Sequence, residues 1–206
     1  LEGRRGQPRL RPPFPAVAGL YACPTVVNTV GTIASVPYIV LGGAAWWKSM
    51  GTEKSSGPMI YSLSGRIVNP GQYECGLGIT LRELIELHAG GVPGGGQIKA
   101  VIPGGASTPL LPADALDVQM SFEGLAAAGS ALGTGGVIVL DEYVCIVEAT
   151  RRLSKFFAHE SCGRCTPCRI GSQRLFEILD RMEAGQGRPG DIDLLLSLVE
   201  GIDGHT

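Results

Sequence analysis

Three cysteines at successive three-residue steps, Cys162, Cys165 and Cys168 in the run HESCGRCTPCRIG, constrain this chain more than any other feature. Thiolates so spaced, with Gly163 and Pro167 shaping the loop, can wrap three corners of an iron-sulfur cubane, so the fold must present that loop. A bacterial ferredoxin run would place the next cysteine four residues later, followed by proline; those positions here are Ser172 and Gln173. A fourth ligand is therefore expected from elsewhere. The alternative is a zinc site built from the same cysteines with His159 or His205, but zinc ligands usually come as two separated pairs rather than a compact triple. Arg164 and Arg169, with Arg151, Arg152 and Lys155 just upstream, would surround an anionic cluster with positive charge and favour its reduction. Arg151 and Arg152 can equally be a solvated helix face.

The remaining cysteines, Cys23, Cys75 and Cys145, are scattered singly among apolar neighbours, where a free thiol behaves as a small buried hydrophobe. Six cysteines without a secretory signal argue for metal or redox chemistry rather than bridges. The N-terminus is basic and proline-rich (Arg4, Arg5, Arg9, Arg11, Pro12, Pro13) and has no apolar core followed by a cleavage site, which points to a cytoplasmic origin. With 17% charged residues and a net charge of −2, nothing global steers the chain toward nucleic acid or an anionic membrane. The uncharged stretch 12–47 resembles a membrane span in composition, but Pro24 and Pro37 leave the pieces 25–36 and 38–47. Both are well short of the ~20 residues a spanning helix needs, so buried helices of a soluble domain are expected. The opening at Leu1 without methionine and the stop at Thr206 just after a helical pattern both read as cuts.

Three segments separate on pattern. Residues 1 to 48 are apolar, with short helical stretches around 28–36 and 37–48, and GTEKSSGP (51–58) reads as a linker. From Met59 the chain alternates to Val68, turns at Asn69-Pro70-Gly71 and continues as a short strand to Cys75, a hairpin signal. Thr80 caps a helix from Leu81 to Ala89; Glu83 completes a capping box and Gly90-Gly91 ends it. Strands are expected at 99–102 and 137–140, giving a small sheet with one helix across a face, an α+β module of β-grasp type. After Asp141 the pattern is helical: 142–159, then a helix marked by Leu175, Ile178, Leu179 and Met182, and another by Ile192, Leu195, Leu196 and Val199. A helical bundle holding the cysteines follows. The formal G-x-G-x-x-G at Gly185, Gly187 and Gly190 follows a helix and contains Pro189, so it is a turn and not a dinucleotide site. The glycine-rich GGVPGGG (90–96) and PGG (103–105) lack the GK[ST] of a phosphate-binding loop and read as loops.

The runs ESCGRCTPCRIG, LSGRIVNPGQYE with TLRELIELHAGG and IKAVIPGG, and RRGQPRLRPPFPAVAGLYACPTVVNTVGT together resemble the NADH-binding flavoprotein subunit of respiratory NADH:quinone oxidoreductase, or complex I. The resemblance covers nearly the whole chain in the correct order, as a C-terminal fragment. The diaphorase subunits of NAD-reducing hydrogenases and NAD-dependent formate dehydrogenases share the same three segments. The family implies the tail of an α/β FMN/NADH domain over 1–48, a soluble-ligand-binding β-grasp (ubiquitin-like, SLBB) domain over 49–143, and a helical [4Fe-4S] domain over 144–206.

Carried over position by position, the resemblance places Asn28, Thr29 and Thr32 against FMN. It places Arg11 and Phe14 at the NADH site, Phe14 offering an aromatic face to adenine, and makes Cys162, Cys165 and Cys168 cluster ligands. Where the family usually reads NNVET, this chain reads NTVGT. The family's fourth cysteine would fall just past Thr206, and its glycine-rich FMN loop lies upstream of Leu1. No catalytic side chain is assigned. The implied activity is that of an NADH dehydrogenase flavoprotein subunit: hydride transfer from NADH to FMN, then single electrons to the cluster. The implied partners are NADH, a thioredoxin-like [2Fe-2S] subunit and a larger iron-sulfur subunit. No nucleic acid and no direct membrane insertion are expected, only a peripheral position at the inner face of the membrane. A rival of another class is a β-grasp plus metal-stapled helical scaffold with no catalysis of its own.

Overall fold

The computed structural model describes residues 3–205. The chain divides into two compact units, Asn28–Val144 and the pair Leu1–Val27 with Cys145–Thr206.

The first of these is built on a five-stranded sheet. Strand β1 (Pro58–Gly65) turns at Asn69-Pro70 and returns as β2 (Gly71–Gly76), antiparallel, with Tyr61 opposite Tyr73 and Met59 opposite Cys75. The expected hairpin is therefore present. β5 (Gly136–Asp141) lies parallel to β1 on its other side, and β3 (Ile98–Ile102) and the short β4 (Leu111–Pro112) complete the order β2-β1-β5-β3-β4. The first and last strands being parallel central neighbours makes this a mixed sheet. Gly65 has φ +90°, and a Cβ there would meet the Val139 carbonyl oxygen at 2.2 Å, so the close approach of β1 to β5 at this end requires glycine.

A helix crosses one face of the sheet. Its first turn, α2 (Leu81–Glu83), opens with the expected capping box: Thr80 Oγ1 accepts from the Glu83 N–H, and the Thr80 N–H donates to Glu83. Glu83 is held below the usual carboxylate range, first by that backbone donor and then by the Thr80 hydroxyl. The following turn, Leu84–His88, is wider, with i to i+5 bonds. Gly90 and Gly91 end it, and the Gly91 N–H donates to the Ile85 carbonyl at 2.9 Å. Leu81, Leu84 and Ile85 are fully buried and meet Tyr61, Val101, Met120, Leu125, Val137 and Val139 in one apolar core. The Tyr61 hydroxyl donates to the Met120 carbonyl at 3.1 Å, and burial pushes its ionisation far up.

A second short helix, α3 (Phe122–Ala127), has no counterpart among the expected elements; its N-cap Ser121 accepts from the Gly124 N–H. Its Glu123 clasps the 52–55 loop by accepting from the hydroxyls of Ser55 (2.5 Å) and Thr52. These donors, Ser55 first, hold Glu123 down at about 2. At the C-terminal ends of β1 and β5, buried Asp141 accepts from Arg66 Nε at 2.8 Å and from the Tyr143 N–H.

The N-terminal part of this unit corrects two expectations. The stretches around 28–36 and 37–48 form one helix, α1 (Val30–Lys48), which passes through Pro37 and is broken instead at Gly43, with φ +82°. Pro37 has no N–H to give the Ile33 carbonyl, but Ile33 is exposed, so solvent is available to that group. Nor is the helix buried: Val30, Val40 and Leu41 are 75–86% exposed. By length and composition α1 could cross a membrane, but its unbroken part, 30–42, falls short of the ~20 residues a span needs. Its C-terminal end is anchored by Trp47, whose ring lies where a Cβ on Gly57 would be, 2.3 Å from it.

Among its described residues the second unit contains the α-helices α4 (Ile146–Glu160), α5 (Thr166–Glu183) and α6 (Asp191–Ile202), with α5 packed against both others. α4 starts later than the pattern 142–159 implied, because residues 142–145 still form the turn leaving β5. Glu148 accepts from Arg151 Nε (2.6 Å) on the next turn and from Arg152 Nε (2.6 Å), and Arg151 reaches across to Asp180 on α5 at 2.8 Å. The turn GQGRPG joins α5 to α6 as expected. Asp191, the first residue of α6, is buried, accepts from Arg181 and from the Arg188 N–H, and is held below its ordinary range by those donors in that order. Gly171 of α5 admits the Ile202 side chain to 2.7 Å from where a Cβ would sit.

Leu84→Ala should cost about 3 kcal/mol and Thr80→Ala about 1 kcal/mol in urea unfolding of the sheet unit, with Thr80→Ser near the parent. Acid provides a separate check on the helical unit. Glu148 ordinarily titrates at 4.5 and is lowered to about 2, by Arg151 first and Arg152 second. Its stabilisation of the helical unit is fully present above 4.5 and is lost as pH falls through about 2. Circular dichroism of Glu148→Gln should show a smaller loss of helical signal over that window than the parent shows.

Candidate metal centre and cofactor-facing residues

The cysteine loop occupies the connection between α4 and α5. Cys162 lies in the loop, Cys165 is the N-cap residue of α5, and Cys168 lies in its first turn, after Thr166 and Pro167. Proline suits this turn because its missing N–H would have no partner inside the helix. The remaining N–H groups of the turn and the positive end of the helix dipole favour an anion at this point. All three thiols are free and half-buried. They are therefore shielded in part from water yet open to a ligand.

Two side chains fix the loop. Arg169 donates from Nη1 to the Gly163 carbonyl at 2.6 Å and from Nη2 to Thr166 Oγ1 at 3.3 Å, which ties the loop apex to the helix start. Gly163 has φ +78°, a conformation that a side chain would strain. Ser161 closes the loop from the other side: its Oγ lies 3.4 Å from Cys168 Sγ and accepts from the Gly163 N–H at 3.4 Å. Ser172 donates to the Cys168 carbonyl at 2.6 Å.

Among the described residues, no three His, Cys, Asp or Glu side chains form a group able to hold a single ion. His159 is exposed and contacts Glu160, and His205 contacts the Asp203 carbonyl. A cluster spreads its ligands over separate irons, so its thiols need not converge on one point. Three soft donors on a braced loop at a helix N-terminus fit an iron-sulfur centre. Cys145 lies at the start of α4, 4.0 Å from a Glu183 oxygen, and is not part of the loop.

The basic residues divide. Arg169 braces the loop, whereas Arg152 lies on a solvated helix face beside Glu148, Arg151 is half-buried between Glu148 and Asp180, and Lys155 lies over the Phe176 ring at 5.9 Å. Ser161 and the carbonyl clamp of Arg169 are not legible in the sequence. A serine beside a cysteine carries no pattern of its own, and its reach to a cysteine seven residues on exists only once the loop is folded.

The residues expected to face FMN form the entry to α1. Thr29 is its N-cap: Thr29 Oγ1 accepts from the Thr32 N–H at 3.3 Å and lies 2.8 Å from the Thr32 hydroxyl. Asn28 Oδ1 accepts from the Thr29 N–H at 3.0 Å, and all three side chains are exposed. Arg11 belongs to the other unit. With Gln7, Arg9, Leu10 and Pro13 it lines a cavity of about 520 Å³ in the N-terminal segment. Phe14 is flanked by two lining residues, Pro13 and Pro15, and its side chain is largely exposed.

Residues 148–206 match a family model described as the NADH-ubiquinone oxidoreductase-F iron-sulfur binding region, and residues 60–139 match an SLBB domain. Over its full length the chain is 59% identical to the NADH-quinone oxidoreductase F subunit of Mycobacterium bovis, covering 46% of that protein. It is 54% identical to the second such F-type protein of Rhizobium meliloti, covering 49%. A crystal structure of an NAD+-reducing [NiFe]-hydrogenase in the air-oxidized state matches 97% of this chain and 34% of that one at 37% identity, with a TM-score of 0.85. The α+β architecture of this chain thus combines an SLBB match with an iron-sulfur binding-region match, and the hydrogenase chain shares the fold. The chain spans about half the length of the curated relatives it matches, and over that span it is similar throughout to NADH-quinone oxidoreductase F subunits.

Proposed function

We propose that this chain forms part of an electron-transfer subunit that oxidises NADH, and that its helical unit holds a [4Fe-4S] cluster. The observation that carries the reading is the braced loop at the start of α5, with three half-buried thiols lying within the iron-sulfur match. Cys162, Cys165 and Cys168 hold the cluster, which when bound accepts and donates single electrons. Arg169 keeps the loop closed and leaves positive charge beside it. The helix N-terminus offsets the negative charge of thiolate ligands.

Asn28, Thr29 and Thr32 contribute one edge of an FMN site, where hydroxyl and amide groups at a helix N-terminus suit a phosphate or a polyol. Arg11 contributes cationic charge to the NADH-facing cavity and Phe14 an aromatic face for adenine. The segments follow the order FMN/NADH tail (1–48), SLBB module (49–143) and cluster domain (144–206). The whole protein works beside a thioredoxin-like [2Fe-2S] subunit and a larger iron-sulfur subunit, as a peripheral part of a membrane-associated complex at its cytoplasmic side.

The test is made on the full-length protein purified without oxygen. Iron and sulfide in equal amounts, lost in Cys165→Ser, are expected; stoichiometric zinc with neither iron nor sulfide overturns the proposal. Phe14→Ala should raise KM for NADH several-fold with a smaller change in kcat, because stacking far from the hydride contributes equally to ground and transition states. Unchanged KM in NADH-dependent ferricyanide reduction removes Phe14 from the site.

A further inference from the structure

We infer that the Ser161 hydroxyl donates a hydrogen bond to the Cys168 sulfur and so raises the reduction potential of the cluster; the inference rests on the iron-sulfur reading of the loop. The polarity of the contact follows from the neighbours. Ser161 Oγ lies 3.4 Å from Cys168 Sγ and also accepts from the Gly163 N–H at 3.4 Å. The hydroxyl oxygen is thus used as an acceptor on the side of Gly163, and its one proton is free to point at sulfur. A metal-bound thiolate has no proton of its own and can only accept. The bond therefore runs from Ser161 to Cys168 whenever Cys168 is a ligand.

Its effect on potential has a definite sign. Reduction by one electron increases the negative charge shared by the cluster sulfurs, and a donor aimed at one of them stabilises the reduced form more than the oxidised form. The site also holds the donor firmly. Ser161 is half-buried, its N–H donates to the Phe157 carbonyl at 3.0 Å, and the Cys168 backbone is held by Ser172. Neither end of the contact is free to drift.

The experiment is a potentiometric titration of the full-length, cluster-containing protein, followed by EPR, with iron and sulfide content measured beside it. Ser161→Ala should change the oxidised-to-reduced ratio at a fixed potential by about tenfold toward oxidised, a fall in midpoint of about 59 mV for one electron. Ser161→Thr, which keeps the hydroxyl, should restore the parental potential. An unchanged midpoint in Ser161→Ala with full iron content overturns the inference and leaves the cluster assignment standing. Absence of iron and sulfide from the parent protein overturns both. If Ser161→Ala does not retain its cluster, Ser161→Gly removes the same hydroxyl without placing a methyl group against Cys168, and its midpoint decides by the same criterion. Loss of the cluster from both, with Ser161→Thr intact, would show that the hydroxyl holds the ligand in place instead of tuning it, and would also overturn the inference.

Discussion

The first turn of α5 governs the helical unit. A helix begins with backbone N–H groups that have no carbonyl to meet, and here the chain has placed its cysteine loop against them. Everything near the loop meets that arrangement. Pro167 removes one orphan donor, Ser172 engages the Cys168 carbonyl, and Arg169 folds back on Gly163 so that the loop apex is closed. α4 and α6 then hold α5 from two sides, with Gly171 admitting Ile202 and Arg151 reaching Asp180.

The sheet unit is held together differently. Its stability is in an apolar core beneath the helix, and its polar contacts act as fasteners at the margins: Arg66 with Asp141 at the ends of the central strands, Glu123 with Ser55 and Thr52 at the start of α3. Each fastener joins residues far apart in sequence. Exposed ion pairs such as Arg82 with Asp117 contribute little beside these, because water screens them.

What can be read from sequence follows the range of the interaction. The hairpin, the Thr80–Glu83 capping box, the GQGRPG turn and the cysteine spacing are all local, and each is present. α3 escapes notice although Ser121 ahead of Phe122-Glu123 is a legible N-cap, because the glycine and alanines of the segment weaken its apolar period. The error at Pro37 is of another kind. Proline ordinarily kinks or ends a helix, yet α1 runs through Pro37 and breaks at Gly43 instead, where glycine takes a positive φ that other residues avoid. Ser161 carries no signal in the sequence, since its contact with Cys168 is a product of the folded loop.

Helix α1 sets how the chain behaves in solution. Val30, Ile33, Val40 and Leu41 present their side chains to water on a helix with no charged residue before Lys48. A net charge of −2 gives little long-range repulsion between molecules to oppose contact of such surfaces. An apolar surface so weakly opposed by charge favours association between copies of the folded chain, increasingly so with concentration and with lyotropic salt, and covering α1 removes part of that tendency.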